Sequence, residues 1–395
     1  MYNDITQFEP LVPQQGIAPL VELAEEIIRL SSQLKPSLHP TVAQTLSSLL
    51  REINSYYSNQ IEGYRTHPAD IVRGLQHDFS KSPQIAKLQR LALAHIEAEI
   101  EIESWLEDVN PTFNPLSVTG ICRIHTALYN QLSEEDRSIE DNHIVEPGVL
   151  RTMDVKVGQH VAPSASSLAA YLHRYENFYT QVTTPAKQLI LIASSHHRLA
   201  WIHPFLDGNG RVARLASHAA LYSKYNAGLW SICRGLARTQ QEYYAKLARA
   251  DSLRRGDLDG RGHLSESGLV DFCHYFLSIC LDQIIFMKKM LNVDEMRKRI
   301  TALIIYRSQF DKQIRSEAIL PLHYLFTGGP LTRGEFKKMT GLGDKVAQNL
   351  VAALLKNGLL TSDTPLGPVR FGLPLEALQF YFPDLYPEAR MANTS

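Results

Sequence analysis

At 395 residues the chain is too long for one small core, so two or three domains are expected. Forty lysines and arginines against 41 aspartates and glutamates leave a formal net charge of −1, which excludes an overall electrostatic drive toward nucleic acid or an acidic membrane. A hydrophobic share of 44% excludes extensive disorder.

Residues 1–19 carry Pro10, Pro13 and Pro19 and read as an extended arm lying on the body. They lack the basic and apolar regions of a signal peptide, and no stretch approaches the roughly 18 apolar residues of a membrane span. A cytoplasmic protein without membrane contact is therefore expected. Leu20–Leu34 has helical composition, broken by Pro36 and Pro40. From Thr41 onward, Val42, Leu46, Leu49, Leu50, Ile53 and Tyr57 form one apolar stripe on a long helix, which Gly63 ends as its C′ residue.

Residues 86–107 form another helix. Pro111, Phe113 and Pro115 then mark a join, followed by a helix over Leu116–Leu132. The persuasive strand signal lies between Gly148 and Gly158, where Val149, Arg151, Met153, Val155 and Val157 alternate; a small hairpin is expected there. Ser164–Tyr179 is helical. Thr184 as N-cap with Pro185 at N1 starts the helix that leads into His203.

Residues 236–250 and 265–292 read as helices. Between them, Asp257–Gly262 resembles the start of a calcium loop, but Arg261 stands at an acidic position and glycine comes too early. A polar connection is the better reading. Cys122, Cys233, Cys273 and Cys280 form no CxxC pair, which argues against a zinc site and a disulfide framework. In the last 85 residues, helices at Leu331–Met339 and Lys345–Leu355 precede strands at Leu359–Thr361 and Val369–Phe371. This resembles a winged helix-turn-helix, fit for DNA binding or for protein contact and dimerisation.

The chemistry gathers in His203-Pro-Phe-Leu-Asp-Gly-Asn-Gly-Arg-Val-Ala-Arg214. Gly208-Asn209-Gly210 precedes a helix, so its backbone amides can converge on an anion while the helix dipole adds positive potential. Glycine permits the φ > 0 that such a nest requires. Arg211 and Arg214, three apart, are neighbours on one helix face, and two cations over an anion nest suit a polyphosphate. Asp207 is the carboxylate that would hold Mg²⁺ against phosphates. His203 can take a proton from an attacking hydroxyl. Together these are the parts of phosphoryl or nucleotidyl transfer.

That segment is similar to the Fic motif, HPFxDGNGRxxR, at every defined position, and the resemblance covers roughly residues 40–290. It implies a mainly α fold with a small β-hairpin flap and transfer of AMP from ATP to a Tyr, Thr or Ser hydroxyl of a target protein. By this resemblance His203 is the base, Asp207 the Mg²⁺ ligand, and Gly208, Asn209, Gly210 and Arg211 the phosphate cradle, with Phe205 and Leu206 also among the nucleotide-binding residues. Arg214 holds the γ-phosphate. Arg151 with Val155–Gly158 resembles the target-holding flap, with Val157 and Gly158 near the nucleotide, and Tyr243 or Tyr244 contacts adenine.

Ser58-Asn-Gln-Ile-Glu-Gly63 is similar to the family's inhibitory motif. Ser58 and Glu62 lie one turn apart on one face, and a carboxylate at a helix C-terminus is disfavoured by the dipole unless a cation meets it. The resemblance implies that Glu62 competes with ATP for Arg214. The expected organisation is an N-terminal helical region with its inhibitory helix (1–110), a catalytic core (111–295) and a winged-helix-like domain (305–395). Self-modification and a homodimer are expected. Removal of AMP by the same site, or a DNA-binding regulator with a nucleotide-sensing core, are the alternatives.

Overall fold

Pro19, Pro40, Pro68, Pro83 and Pro185 each stand at the first or second position of a helix, where a missing N–H costs nothing. A computed structural model describes residues 2–34, 38–108, 112–139, 143–158, 160–226 and 228–386. Pro36, Pro111 and the boundary at 110–111 lie outside the described residues.

The helices in order are α1 (Ala18–Ser31), α2 (Pro40–Ile61), α3 (Pro68–Leu75), α4 (Pro83–Glu107), α5 (Val118–Tyr129) and α6 (Glu134–Arg137). A two-stranded hairpin, β1 (Lys156–Val157) with β2 (His160–Val161), is followed by α7 (Leu168–Tyr179), α8 (Pro185–Ile202), α9 (Asn209–Leu221), α10 (Ile232–Arg238), α11 (Gln240–Asp251) and α12 (Glu266–Met290). Then come α13 (Val293–Ser308), α14 (Ile319–Gly328), α15 (Arg333–Thr340), α16 (Asp344–Lys356), the hairpin β3 (Leu360–Thr361) with β4 (Arg370–Phe371), and α17 (Leu375–Tyr381). The fold is mainly α, as the resemblance implies.

Two hydrophobic cores divide the molecule. One gathers α1, α2, one side of α8, and α10 through α17. The other gathers Phe8 and Leu11 of the N-terminal arm with α5, α7 and most of α9. Helix α4 serves both, since Ala92 and Ile96 enter the first core while Leu91, Ala94, Ala98 and Ile102 enter the second. Helix α8 is buried continuously from Leu189 to Leu199, which is why it reads as an apolar run without a polar face.

Several expectations are revised. The hairpin lies at 156–161, later than the Gly148–Gly158 alternation indicated, because Arg151 turns inward to bind carbonyls and the preceding stretch forms no ladder. Residues 236–250 are two helices meeting at Thr239, and the arm contains a short 3-10 turn, Ile5–Phe8. Helices α3, α14 and α17 were not anticipated. Neither was α13, which runs unbroken through residues 295–305.

By length and composition, α12 alone among the described helices could cross a membrane, a property the residue-by-residue reading passed over. Here it packs against α1, α8, α10 and α11, so its apolar residues serve the core. The C-terminal segment is tied back to α2 and α10. Tyr57 donates to the Leu385 carbonyl, and the Arg234 guanidinium donates to the Asp384 carbonyl at 2.9 and 3.2 Å.

Candidate active site

Helix α8 stops at His203, whose left-handed backbone (φ 52) reverses the chain before Pro204. A non-glycine residue there costs about 1–2 kcal/mol, so neighbours must hold it. Arg151, 3% exposed, does so: its guanidinium donates to the carbonyls of His203 (2.7 Å), Ile202 (3.4 Å), Pro163 (2.6 Å) and Met153 (2.9 Å). The His203 Nδ1 lies 3.4 Å from the Ala200 carbonyl, which assigns the ring proton to Nδ1. Nε2 makes no hydrogen bond among the described residues. Burial pushes the imidazole's pKa down to about 4, so it is neutral at pH 7 and can accept a proton.

His203 lines a cavity of about 500 Å³ together with Glu62, Val157, Gly210, Arg214, Tyr243 and Tyr244. A second hollow, about 560 Å³, lies among α10, α11 and α12 and is lined by none of the motif residues.

The loop from Pro204 to Gly208 is locked from within. Asn209 accepts from the Phe205 amide (2.9 Å) and donates to the Phe205 carbonyl (2.8 Å). Phe205 is fully buried and stacks on His125 at 3.9 Å. Gly208 takes φ 80, and any Cβ there would collide with the Tyr129 ring. Of the two glycines expected to need φ > 0, Gly208 alone does so, because Gly210 already lies in the first turn of α9. That first turn leaves its backbone amides free to meet an anion.

Asp207 Oδ2 accepts from Tyr129 (2.5 Å) and Arg211 Nη2 (2.9 Å). Burial would raise its pKa, but the Arg211 charge and the Tyr129 hydroxyl hold it below the usual carboxylate value. Arg211 is 2% exposed, and its Nε and Nη1 have no acceptor among the described residues. Two buried, unsatisfied guanidinium donors beside a helix N-terminus are what an incoming anion would satisfy.

Arg214, one turn on, is engaged through Nε and Nη2. Its Nε donates to Ser58 Oγ at 2.9 Å, and its Nη2 donates to the Ser58 carbonyl (3.0 Å) and Glu62 Oε1 (2.6 Å). Burial would lower the Arg214 pKa, but the Glu62 carboxylate outweighs it and holds the value up. Glu62 caps the C-terminus of α2, where the dipole opposes a negative charge, so Arg214 supplies the compensating cation. The approach is close enough that a Cβ on Gly210 would collide with Glu62 Oε1. Gly63 follows with φ 87, the turn expected of a C′ glycine. From α11, Gln240 and Tyr244 both donate to the Ile61 carbonyl, at 2.8 and 2.7 Å, and so fasten the end of α2.

The structure therefore brings together His203, Gly210, Arg214, Glu62, Val157, Tyr243 and Tyr244 around one cavity, with Asp207 and Arg211 paired in the adjoining loop. Other expectations change. Arg151 and Phe205 face inward and meet no cavity, and the Asn209 side chain is spent on the loop itself. Tyr243 is 2% exposed, with its hydroxyl 2.7 Å from His196 Nε2, whereas Tyr244 is 45% exposed. Leu206 is half-buried, and Gly158 turns the exposed tip of β1 with φ 58. Sequence reasoning missed Tyr129 and His125. Their i, i+4 spacing within the apolar α5 was the available signal.

Residues 115–221 match the Fic/DOC family. Among curated relatives, a protein adenylyltransferase Fic from Nematostella vectensis is 29% identical over 171 residues, which is 42% of this chain and 36% of the relative. Another from Drosophila willistoni is 36% identical over 78 residues, 20% of this chain and 16% of the relative. The matches thus span well under two thirds of these relatives' length. Among solved structures, a Fic family protein from Desulfovibrio desulfuricans aligns with 92% of this chain and 98% of its own, at TM-score 0.52 and 17% identity. A Fic domain containing signaling protein from Bacteroides thetaiotaomicron aligns with 67% of this chain and 95% of its own, at TM-score 0.51 and 17% identity.

Proposed function

The chain is a Fic family protein, and from that premise we propose that it transfers AMP from ATP to a Tyr, Thr or Ser hydroxyl of a target protein, with Glu62 as its built-in restraint. The observation that carries the reading is the neutral His203 facing a cavity that also holds Arg214 and the start of α9. In the productive pose His203 Nε2 takes the proton of the target hydroxyl as its oxygen attacks the α-phosphorus. A P–O bond forms, the bond to the bridging oxygen breaks, and pyrophosphate leaves. The α9 amides and Arg211 bind phosphate oxygens, and Arg214 binds the γ-phosphate once Glu62 has withdrawn.

Asp207 fits Mg²⁺: it is a lone carboxylate, its side chain 39% exposed, with Oδ2 held by Tyr129 and Arg211 and Oδ1 outside those contacts. The ion, when bound, neutralises phosphate charge. Asp207→Ala is expected to abolish Mg²⁺ stimulation of transfer, and persistent metal-stimulated transfer would move the metal elsewhere. The reading as a whole is tested by supplying ATP labelled at the α- or the γ-phosphorus. Protein should retain the α label and not the γ label; retention of γ would indicate a kinase.

Gln240 and Tyr244 support the restraint by fastening α2. Tyr244→Phe keeps the ring but loses one hydrogen bond of about 0.5–1.5 kcal/mol, so self-modification should rise roughly 2–10-fold. An unchanged rate would remove α11 from the switch. We read residues 1–110, 111–295 and 305–395 as the restraining, catalytic and winged-helix-like parts. The last is supported by α15 and α16 followed by β3–β4, with Leu331 bridging Val369.

A further inference from the structure

Between the two cores, three helices bury a polar cluster that the reaction does not use. Helix α4 presents His95, Glu99 and Glu103 on successive turns, α9 presents His218, and α2 contributes Arg51 and Asn54. His95, Glu99, Glu103 and His218 are 1%, 1%, 2% and 5% exposed. His218 Nε2 lies 3.0 Å from Glu103 Oε1 and 3.6 Å from Glu99 Oε1, and His95 Nδ1 lies 3.9 Å from Glu99 Oε2. The donor atoms of Glu99, Glu103 and His218 all fall within 4.8 Å of one another.

The hydrogen-bond inventory of this cluster does not close. Both ring nitrogens of His95 and Glu99 Oε2 are buried without a partner among the described residues. A neutral imidazole carries one donor and one acceptor, so His95 loses twice. Arg51 holds Glu103 Oε2 at 2.8 Å, which leaves Oε1 turned toward His218.

We propose that Glu99, Glu103 and His218, with His95 moving in from the Glu99 side as the fourth donor, bind a first-row divalent cation, with Zn²⁺ as the best match. Glu99, Glu103 and His218 lie close enough to share one ion, and the otherwise unpartnered His95 would complete a tetrahedral set suited to zinc, with the two carboxylates offsetting the charge of the ion. With each of these residues at most 5% exposed, the site is structural, pinning α4 to α9, the helix that carries Arg211 and Arg214. Cysteine counting could not reveal it, because none of its donors is a thiolate.

The test uses the full chain, purified without a metal-affinity tag. Metal content should be close to one zinc per chain. After removal by a chelator, added Co²⁺ should give the visible d–d absorption of a tetrahedral site, and Zn²⁺ should displace it. The absorption should persist in Asp207→Asn, which separates this site from the nucleotide site, and vanish in His218→Gln. Loss of the absorption in Asp207→Asn, or its persistence in His218→Gln, would overturn the assignment. Should His218→Gln fail to fold, the wild type decides alone. Chelation should lower Tm and stoichiometric Zn²⁺ should restore it, whereas metal-free protein with an unchanged Tm and no cobalt spectrum overturns the proposal in favour of a buried water.

Discussion

A His203→Ala protein is expected to transfer AMP about 10²–10⁴-fold more slowly than wild type, the usual contribution of a positioned general base. The structure gives that expectation its particular form. Nδ1 faces the Ala200 carbonyl, so the basic nitrogen is Nε2, and Arg151 fixes the backbone that aims it. Alanine removes the proposed base and leaves the proposed phosphate site at the start of α9 untouched. ATP affinity should therefore hold while kcat falls, a split readable from nucleotide binding alongside single-turnover transfer. Near-normal transfer would remove His203 from its role.

The pH profile follows from the same burial. With a pKa near 4 in place of about 6.5, the imidazole is neutral across pH 5–7, so transfer should not fall at the usual histidine pKa. The sign for stability is the reverse of a salt-bridged histidine. The unfolded ring takes a proton below about 6.5 and the folded ring does not until about 4, so this group's contribution is full above 6.5 and is lost as pH falls toward 4.

Glu62→Gly is expected to raise self-modification from labelled ATP by at least about tenfold, equivalent to ~1.4 kcal/mol. Arg214 now spends its guanidinium on Ser58 and Glu62, and under the proposed function the γ-phosphate would take the same donors. Removing the carboxylate frees one N–H of Nη2, the other staying on the Ser58 carbonyl, and also opens space beside Gly210. The same change leaves a 1%-exposed guanidinium donor unpaired, so the variant should unfold at lower temperature, by roughly 1–3 kcal/mol of stability. Glu62 is partly exposed, and solvent screening places the cost toward the lower end. Greater activity with lower Tm is the joint signature; an unchanged labelling rate would end the case for restraint.

Much of this was legible in local pattern. The stripe from Val42 to Tyr57 gives α2 and sets Glu62 at its C-terminus, and Thr184-Pro185 gives the start of α8. Both follow from chemistry within a few residues. The motif from His203 to Arg214 was equally readable, since a loop, a glycine and a helix start are local events. What escaped was decided by partners far along the chain. Arg151 alternates with apolar neighbours as in a strand, but four carbonyls, three of them from residues 163–203, turn it inward. Tyr129 reads as one more apolar residue of α5 until Asp207 and Arg211 meet it from 78 and 82 residues away. Tyr243 and Tyr244 are adjacent in sequence, yet only packing against His196 distinguishes the buried one.

The division into two cores bears on how such a restraint is released. Ser58 and Glu62 ride on α2, which belongs to the first core, while α9 with Arg214 is seated mainly in the second. Their contact thus lies where the two cores meet, across a joint that α4 and α8 also span. On the proposed reading, the restraint is therefore governed at the meeting of two interiors and not from within one.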